Sequence, residues 1–66
     1  MTITANGKPQ TVPEGASLEA VLKTFGLTPE RVVVEYNGAA LRRDRFAVTV
    51  LCDGDRLEIA LMVGGG

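Results

Sequence analysis

Two Asn-Gly pairs, Asn6-Gly7 and Asn37-Gly38, constrain this chain more than anything else in it. A type I′ turn needs positive φ at both central positions, so such a pair between extended segments is the strongest short hairpin signal. Ahead of the first pair, Met1, Ile3 and Ala5 alternate with Thr2 and Thr4, the period of a half-buried strand. The return strand, Lys8 to Val12, contains Pro9, which has no N–H to give a neighbour and so belongs at a sheet edge. Ahead of the second pair, Arg31-Val32-Val33-Val34-Glu35-Tyr36 is rich in β-branched residues, and Ala39-Ala40-Leu41 is placed to return briefly along it.

Between the two hairpins the period changes. Pro13-Glu14-Gly15-Ala16 reads as a loop, and Ser17 stands where its hydroxyl can cap a helix. Glu19 falls in the first turn, and Leu18, Val21, Leu22 and Phe25 form one apolar stripe. Gly26 is placed as a left-handed C-cap, with Leu27 beside it for the hydrophobic contact and Pro29 to block continuation. The stripe reads as core packing.

After the second hairpin, residues 42–47 carry charge at most positions and fit either a single helical turn or an irregular crossover. Val48-Thr49-Val50-Leu51 is apolar enough for a short extended piece, and Cys52-Asp53-Gly54-Asp55 reads as a tight turn into a last strand. In that strand Leu57, Ile59, Leu61 and Val63 share one face. The other face, Arg56, Glu58, Ala60 and Met62, grows more apolar along its length, the pattern of a strand partly covered on both sides. The order ββαββ, with one helical stripe and one shared strand face to bury against each other, gives an α+β, two-layer arrangement. That is a β-grasp, a mixed sheet packed on one main helix. The first and last strands then lie parallel and adjacent at the centre of the sheet. The expected division is a single domain over residues 1–63 and a flexible glycine tail over 64–66.

The chemistry available is narrow. With 66 residues, about 60% of the unfolded surface is buried on folding, so the core must be small and fully used. A lone cysteine, Cys52, forms no intramolecular disulfide, and there is no Cys/His cluster for a structural zinc. Seven basic against eight acidic residues leave a net charge of -1, which disfavours nucleic acid as a partner. No stretch has the run of about 20 apolar residues that spans a membrane, and the first residues lack the features of a signal peptide, so the expected location is the cytoplasm. With no histidine and no nucleophile beside a base, the chain reads as one acted upon, not as an enzyme.

What remains is the end of the sequence, Val63-Gly64-Gly65-Gly66, directly after the last strand. Glycine adopts nearly any backbone conformation and adds no bulk, so Gly64 and Gly65 suit a tail that threads a narrow partner channel and brings the main-chain carboxylate of Gly66 to chemistry elsewhere. The same composition is that of a frayed end or an added linker. Composition alone does not choose between them.

The chain resembles the ThiS-type sulfur carrier proteins of thiamin biosynthesis, a ubiquitin-like β-grasp family. The resemblance runs over essentially the whole length: Asn6-Gly7, the Ser17 to Gly26 helix, Asn37-Gly38 after a valine-rich strand, an arginine at 42 or 43, Leu51 to Ile59, and the terminal glycines. Its most specific segment is Leu51-Cys52-Asp53-Gly54-Asp55-Arg56-Leu57-Glu58-Ile59, a few residues before the glycine run. Tyr36 and Phe46 depart from the family pattern, which has an aliphatic residue and a tryptophan there. The resemblance implies that a partner adenylyltransferase, akin to ubiquitin-activating enzymes and using ATP and magnesium, joins Gly66 to AMP. Sulfur from a donor such as a cysteine desulfurase then displaces AMP, leaving a thiocarboxylate that supplies thiazole synthase. No cofactor or metal would be bound by the chain itself.

The molybdopterin-type carriers, a conjugated ubiquitin-like tag and a regulatory β-grasp module share this outline. Three further features carry secondary readings. Cys52 is a sulfur relay or, with no base beside it, a structural or incidental thiol of a residue type that is most often buried. Arg42, Arg43 and Arg45 dock an acidic partner surface or simply solvate a loop. Met62, late in the last strand, is a candidate partner contact.

Overall fold

The computed structural model describes residues 1–62. Both Asn-Gly pairs adopt the left-handed conformation their turns require, with Asn6 and Asn37 each at φ 51° and their glycines at 81° and 88°. The first hairpin joins β1 (Thr2–Ala5) to β2 (Lys8–Thr11). The second joins β3 (Val32–Tyr36) to β4 (Ala39–Leu41), and the last strand, β5, is Arg56–Leu61. The five strands form one sheet in the order β2-β1-β5-β3-β4, so Pro9 lies on an edge strand, where its missing donor costs nothing. β5 occupies the centre, parallel to β1 and antiparallel to β3, with Val34 opposite Ile59 and Glu35 opposite Glu58.

The helix, α1 (Leu18–Thr24), is capped as its sequence requires: Ser17 Oγ accepts from the Ala20 N–H at 3.1 Å. The two N–H groups before it are also satisfied, that of Leu18 by the Thr49 carbonyl at 2.8 Å and that of Glu19 by the Phe46 carbonyl at 3.1 Å. Left unmade, these bonds would leave helix-terminal donors facing protein instead of water. At the other end the Gly26 and Leu27 N–H groups bond back to Lys23 and Leu22, closing the helix in a Schellman arrangement with Gly26 at φ 79°.

Ile3, Leu18, Val21, Leu22, Val32, Val34 and Leu57 interleave helix and sheet, and Val12, Phe46 and Leu51 close the sides. Phe46 is only 1% exposed. The departure from tryptophan at this position therefore lies in the core.

Two expectations are corrected. Val48 to Leu51 forms no strand; one isolated bridge, Ser17 to Val50, is all its pairing. Its backbone caps the helix instead, which turns Val48 and Val50 out to solvent while Leu51 stays buried. The charged segment before it contains a single 3₁₀ turn, Arg43–Arg45. The second correction concerns β5, whose two faces are not both covered. Leu57 is buried and Ile59 half-buried on the helix side, but Glu58, Ala60 and Met62 are all exposed on the other, and Leu61 extends past the helix at 63% exposure. One helix is too short to cover the whole strand, and among the described residues nothing else is layered on the outer side.

Candidate functional site

β5 is held along its length by side-chain bonds as well as by its strand pairing. On one flank, Asn6 extends the β1 ladder with its side chain: Oδ1 accepts from the Ile59 N–H at 2.7 Å and Nδ2 donates to the Ile59 carbonyl at 3.0 Å. On the other flank, Asn37 Oδ1 accepts from the Arg56 N–H at 2.8 Å while its own N–H donates to the Arg56 carbonyl, also at 2.8 Å. The two turn residues thus mimic strand neighbours on opposite edges of β5. At the far end the Met62 N–H bonds to the Arg31 carbonyl at 2.8 Å, so the strand is tied down up to its last described residue.

The start of β5 is fixed by a buried carboxylate. Asp55, 8% exposed, accepts from the Tyr36 hydroxyl at 2.6 Å, the Cys52 N–H at 2.7 Å and Asn37 Nδ2 at 3.1 Å. Burial pushes its pKa up, but the bonds from Tyr36, Cys52 and Asn37 outweigh burial and hold the carboxyl below its ordinary value. The same bond to Asp55, with burial and the Asp55 charge added, pushes the Tyr36 hydroxyl up to about 12. Asp53 contributes by accepting from the Thr2 N–H at 2.7 Å, which ties the turn to β1. The tight turn before β5 is therefore an anchor, a role that its Asp-Gly-Asp pattern alone did not announce.

Two hollows flank the exit end. On the helix side, Ala5, Lys8, Gln10, Phe25, Ile59 and Leu61 border an open groove of about 530 Å³. On the outer face of the sheet a second hollow of about 320 Å³ lies over β3, β4 and β5, bordered by Val33, Glu35, Ala40, Glu58 and Ala60.

Gly64, Gly65 and Gly66, the residues singled out for threading and modification, lie outside the described residues, as does Val63. Met62, the last described residue, is exposed. Arg42 and Arg43 are exposed on the loop after β4, where Arg42 Nη2 meets Asp44 at 3.1 Å. Among the described residues no hydrogen bond or ion pair joins either arginine to Met62. Cys52 is exposed, against the usual burial of its residue type. Its backbone, not its thiol, is engaged. Among the described residues no group of His, Cys, Asp and Glu is placed to hold a metal ion, and no helix is long and apolar enough to cross a membrane.

A mixed sheet packed on one helix, with the central strand clamped from both sides, defines a ubiquitin-like β-grasp domain. Comparison with known proteins narrows this. The ThiS family model matches residues 1–66. The crystal structure of a thiamine biosynthesis protein (ThiS) from Geobacter metallireducens matches with a TM-score of 0.85 at 39% identity, all of both chains being covered. A thiazole synthase of Magnetococcus marinus is 38% identical over 66 residues, which are all of this chain and 20% of that protein. An uncharacterized protein of Pyropia yezoensis, ycf40, is 38% identical over all of this chain and 93% of its own length. The chain belongs to the ThiS family. It spans about a fifth of the length of the thiazole synthases it matches.

Proposed function

We propose that the protein is a sulfur carrier for formation of the thiamin thiazole, with Gly66 as the residue that carries the sulfur. The supporting observation is the mechanical one: β5 is held on both flanks by Asn6 and Asn37, and its direct continuation is Val63-Gly64-Gly65-Gly66. A group to be visited by other enzymes is best delivered from a rigid element. A carboxylate is a poor acyl donor because its leaving group would be oxide. A partner adenylyltransferase using ATP and magnesium makes it a good one by joining Gly66 to AMP. A partner's persulfide then attacks that carbonyl with AMP leaving, and a second thiol cleaves the resulting acyl disulfide, forming a disulfide with the donor sulfur and releasing the Gly66 thiocarboxylate. Gly64 and Gly65 give the reach and slimness to enter partner sites.

Thiazole synthase is the proposed recipient of the sulfur. Two proteins of that name, from Magnetococcus marinus and Paramagnetospirillum magneticum, contain a stretch similar to this whole chain, at 38% and 32% identity. A donor and a recipient that meet in one polypeptide are natural partners when separate.

Intact mass tests the reading. After incubation with ATP, the adenylyltransferase and a sulfur donor, one oxygen of the chain is replaced by sulfur. A ladder of protein conjugates would instead identify a tag, and an unchanged mass would remove the carrier function.

A further inference from the structure

We propose that the outer-face hollow beside β5 is a docking site for a basic side chain, best an arginine, of a protein partner. The observation is one of register. Glu35 on β3 and Glu58 on β5 are directly opposite each other in an antiparallel pair, and both point to the open face. Side chains so placed have Cβ atoms about 5 Å apart, and like charges there are destabilising. The chain has not relieved that repulsion internally. Among the described residues the ion pairs are Lys23 with Glu19 and Arg42 with Asp44, and Arg56, two places along the same face of β5, is in neither.

The surroundings show what relieves it. The two carboxylates border a hollow of about 320 Å³ whose remaining side chains include Val33, Ala40 and Ala60, all small and apolar. An arginine meets both demands at once. Its methylenes lie along the apolar floor, and its planar, five-donor guanidinium bridges two separate carboxylates, which a point-like ammonium does less well. A neutral apolar partner would bury the two carboxylates unpaired, at high cost. The inference goes beyond the carrier reading and depends on it only for the second readout below.

The isotope-labelled protein is titrated with N-acetyl-arginine amide and, separately, with N-acetyl-norleucine amide, while its backbone amide signals are followed. Saturable shifts at Val33, Glu35, Glu58 and Ala60 are expected with the arginine compound alone, and the double variant Glu35→Gln, Glu58→Gln loses them. Equal effects of the two compounds, or an unchanged response of the double variant, would overturn the proposal. The second readout is adenylylation: the double variant raises the KM for this chain about tenfold, the scale of one lost charge-assisted bond, with kcat unchanged. An unchanged KM excludes the hollow as that enzyme's docking point and overturns the proposal for that partner. Should the native chain not be adenylylated at all, the carrier reading fails and the titration alone decides the hollow.

Discussion

Asn6 holds Ile59 by both of its main-chain polar groups, accepting from the N–H at 2.7 Å and donating to the carbonyl at 3.0 Å. The residue that turns the first hairpin is thus also a one-residue extension of β1 along β5, beyond the point where the backbone of β1 has turned away. One side chain couples local turn geometry to the placement of the strand that leads to the glycines.

Replacing Asn6 separates the two roles. Asn6→Gly keeps the left-handed φ but removes both bonds, and should cost about 1–2 kcal/mol, the lower part of the range for two bonds because the site is exposed. Asn6→Ala loses the same bonds and adds about 1 kcal/mol for holding a β-carbon at φ 51°. Urea unfolding of both variants checks the order, and amide exchange at Ile59 should quicken in each. If Asn6→Gly were as stable as the native chain, the clamp would be ornamental.

The Tyr36–Asp55 bond makes stability fall at both ends of the pH scale. Asp55 has a lower pKa folded than unfolded, so the unfolded chain binds more protons as pH drops, and the contribution present above about pH 4 is lost as pH falls through the lowered folded value. Tyr36 is raised to about 12, so the unfolded chain loses its proton first, near pH 10, and stability declines from there toward about 12. Tyr36→Phe should abolish the alkaline decline, weaken the acid one and cost about 1–2 kcal/mol at neutral pH. Denaturation midpoints measured across pH decide it. An alkaline limb that survives the substitution would mean another group causes it.

These two networks mark the limit of what the sequence discloses. The hairpins, the capped helix and the edge position of Pro9 were legible because each rests on a local rule: positive φ at Asn-Gly, a hydroxyl at the N-cap, a missing donor at proline, apolar period. The central parallel pair followed only from the order ββαββ taken as a β-grasp. The roles of Asn6, Asn37 and Asp55 as anchors of β5 were not. Each depends on which strand the fold brings alongside, and Asn6 and Ile59 are 53 positions apart. Val48 to Leu51 differs from expectation for a related reason. Its apolar character suggested a short extended piece, but a donor at the start of α1, the Leu18 N–H, takes the Thr49 carbonyl, and the Leu51 N–H bonds to Ala16. Glu35 and Glu58 gave no signal separately, since only the register places them face to face.

Cys52 offers a third test. The residue is exposed, and its hydrogen bonds are made by its main chain, the N–H donating to the Asp55 carboxylate and the carbonyl accepting from the Asp55 N–H. Cys52→Ser preserves that N–H and the turn, so stability should change by no more than about 0.5 kcal/mol, as for a surface substitution away from any packed feature. Thiocarboxylate formation should proceed at the native rate, because among the described residues no hydrogen bond or ion pair engages the thiol. A loss of sulfur transfer with stability intact would reinstate Cys52 as a participant.

Removing Gly66, or joining a further segment to it, should separate function from folding most completely. The buried core extends from Ile3 to Leu57, and among the described residues the ties on β5 reach the Met62 N–H on Arg31. That core and those ties are built without Gly66, so the thermal midpoint of the shortened chain should match that of the native one. In the proposed carrier function, sulfur acceptance requires a free carboxylate in reach of the adenylylating site. The shortened chain presents one at Gly65, a residue's length short of its target, and misplacement on that scale is enough to lose the reaction. Mass spectrometry after ATP and sulfur-donor treatment should therefore show no oxygen-for-sulfur exchange in either variant. Exchange at the native rate in the shortened chain would show that the reacting group is not held to a fixed reach, and a large drop in thermal midpoint would show that the glycines help hold the fold.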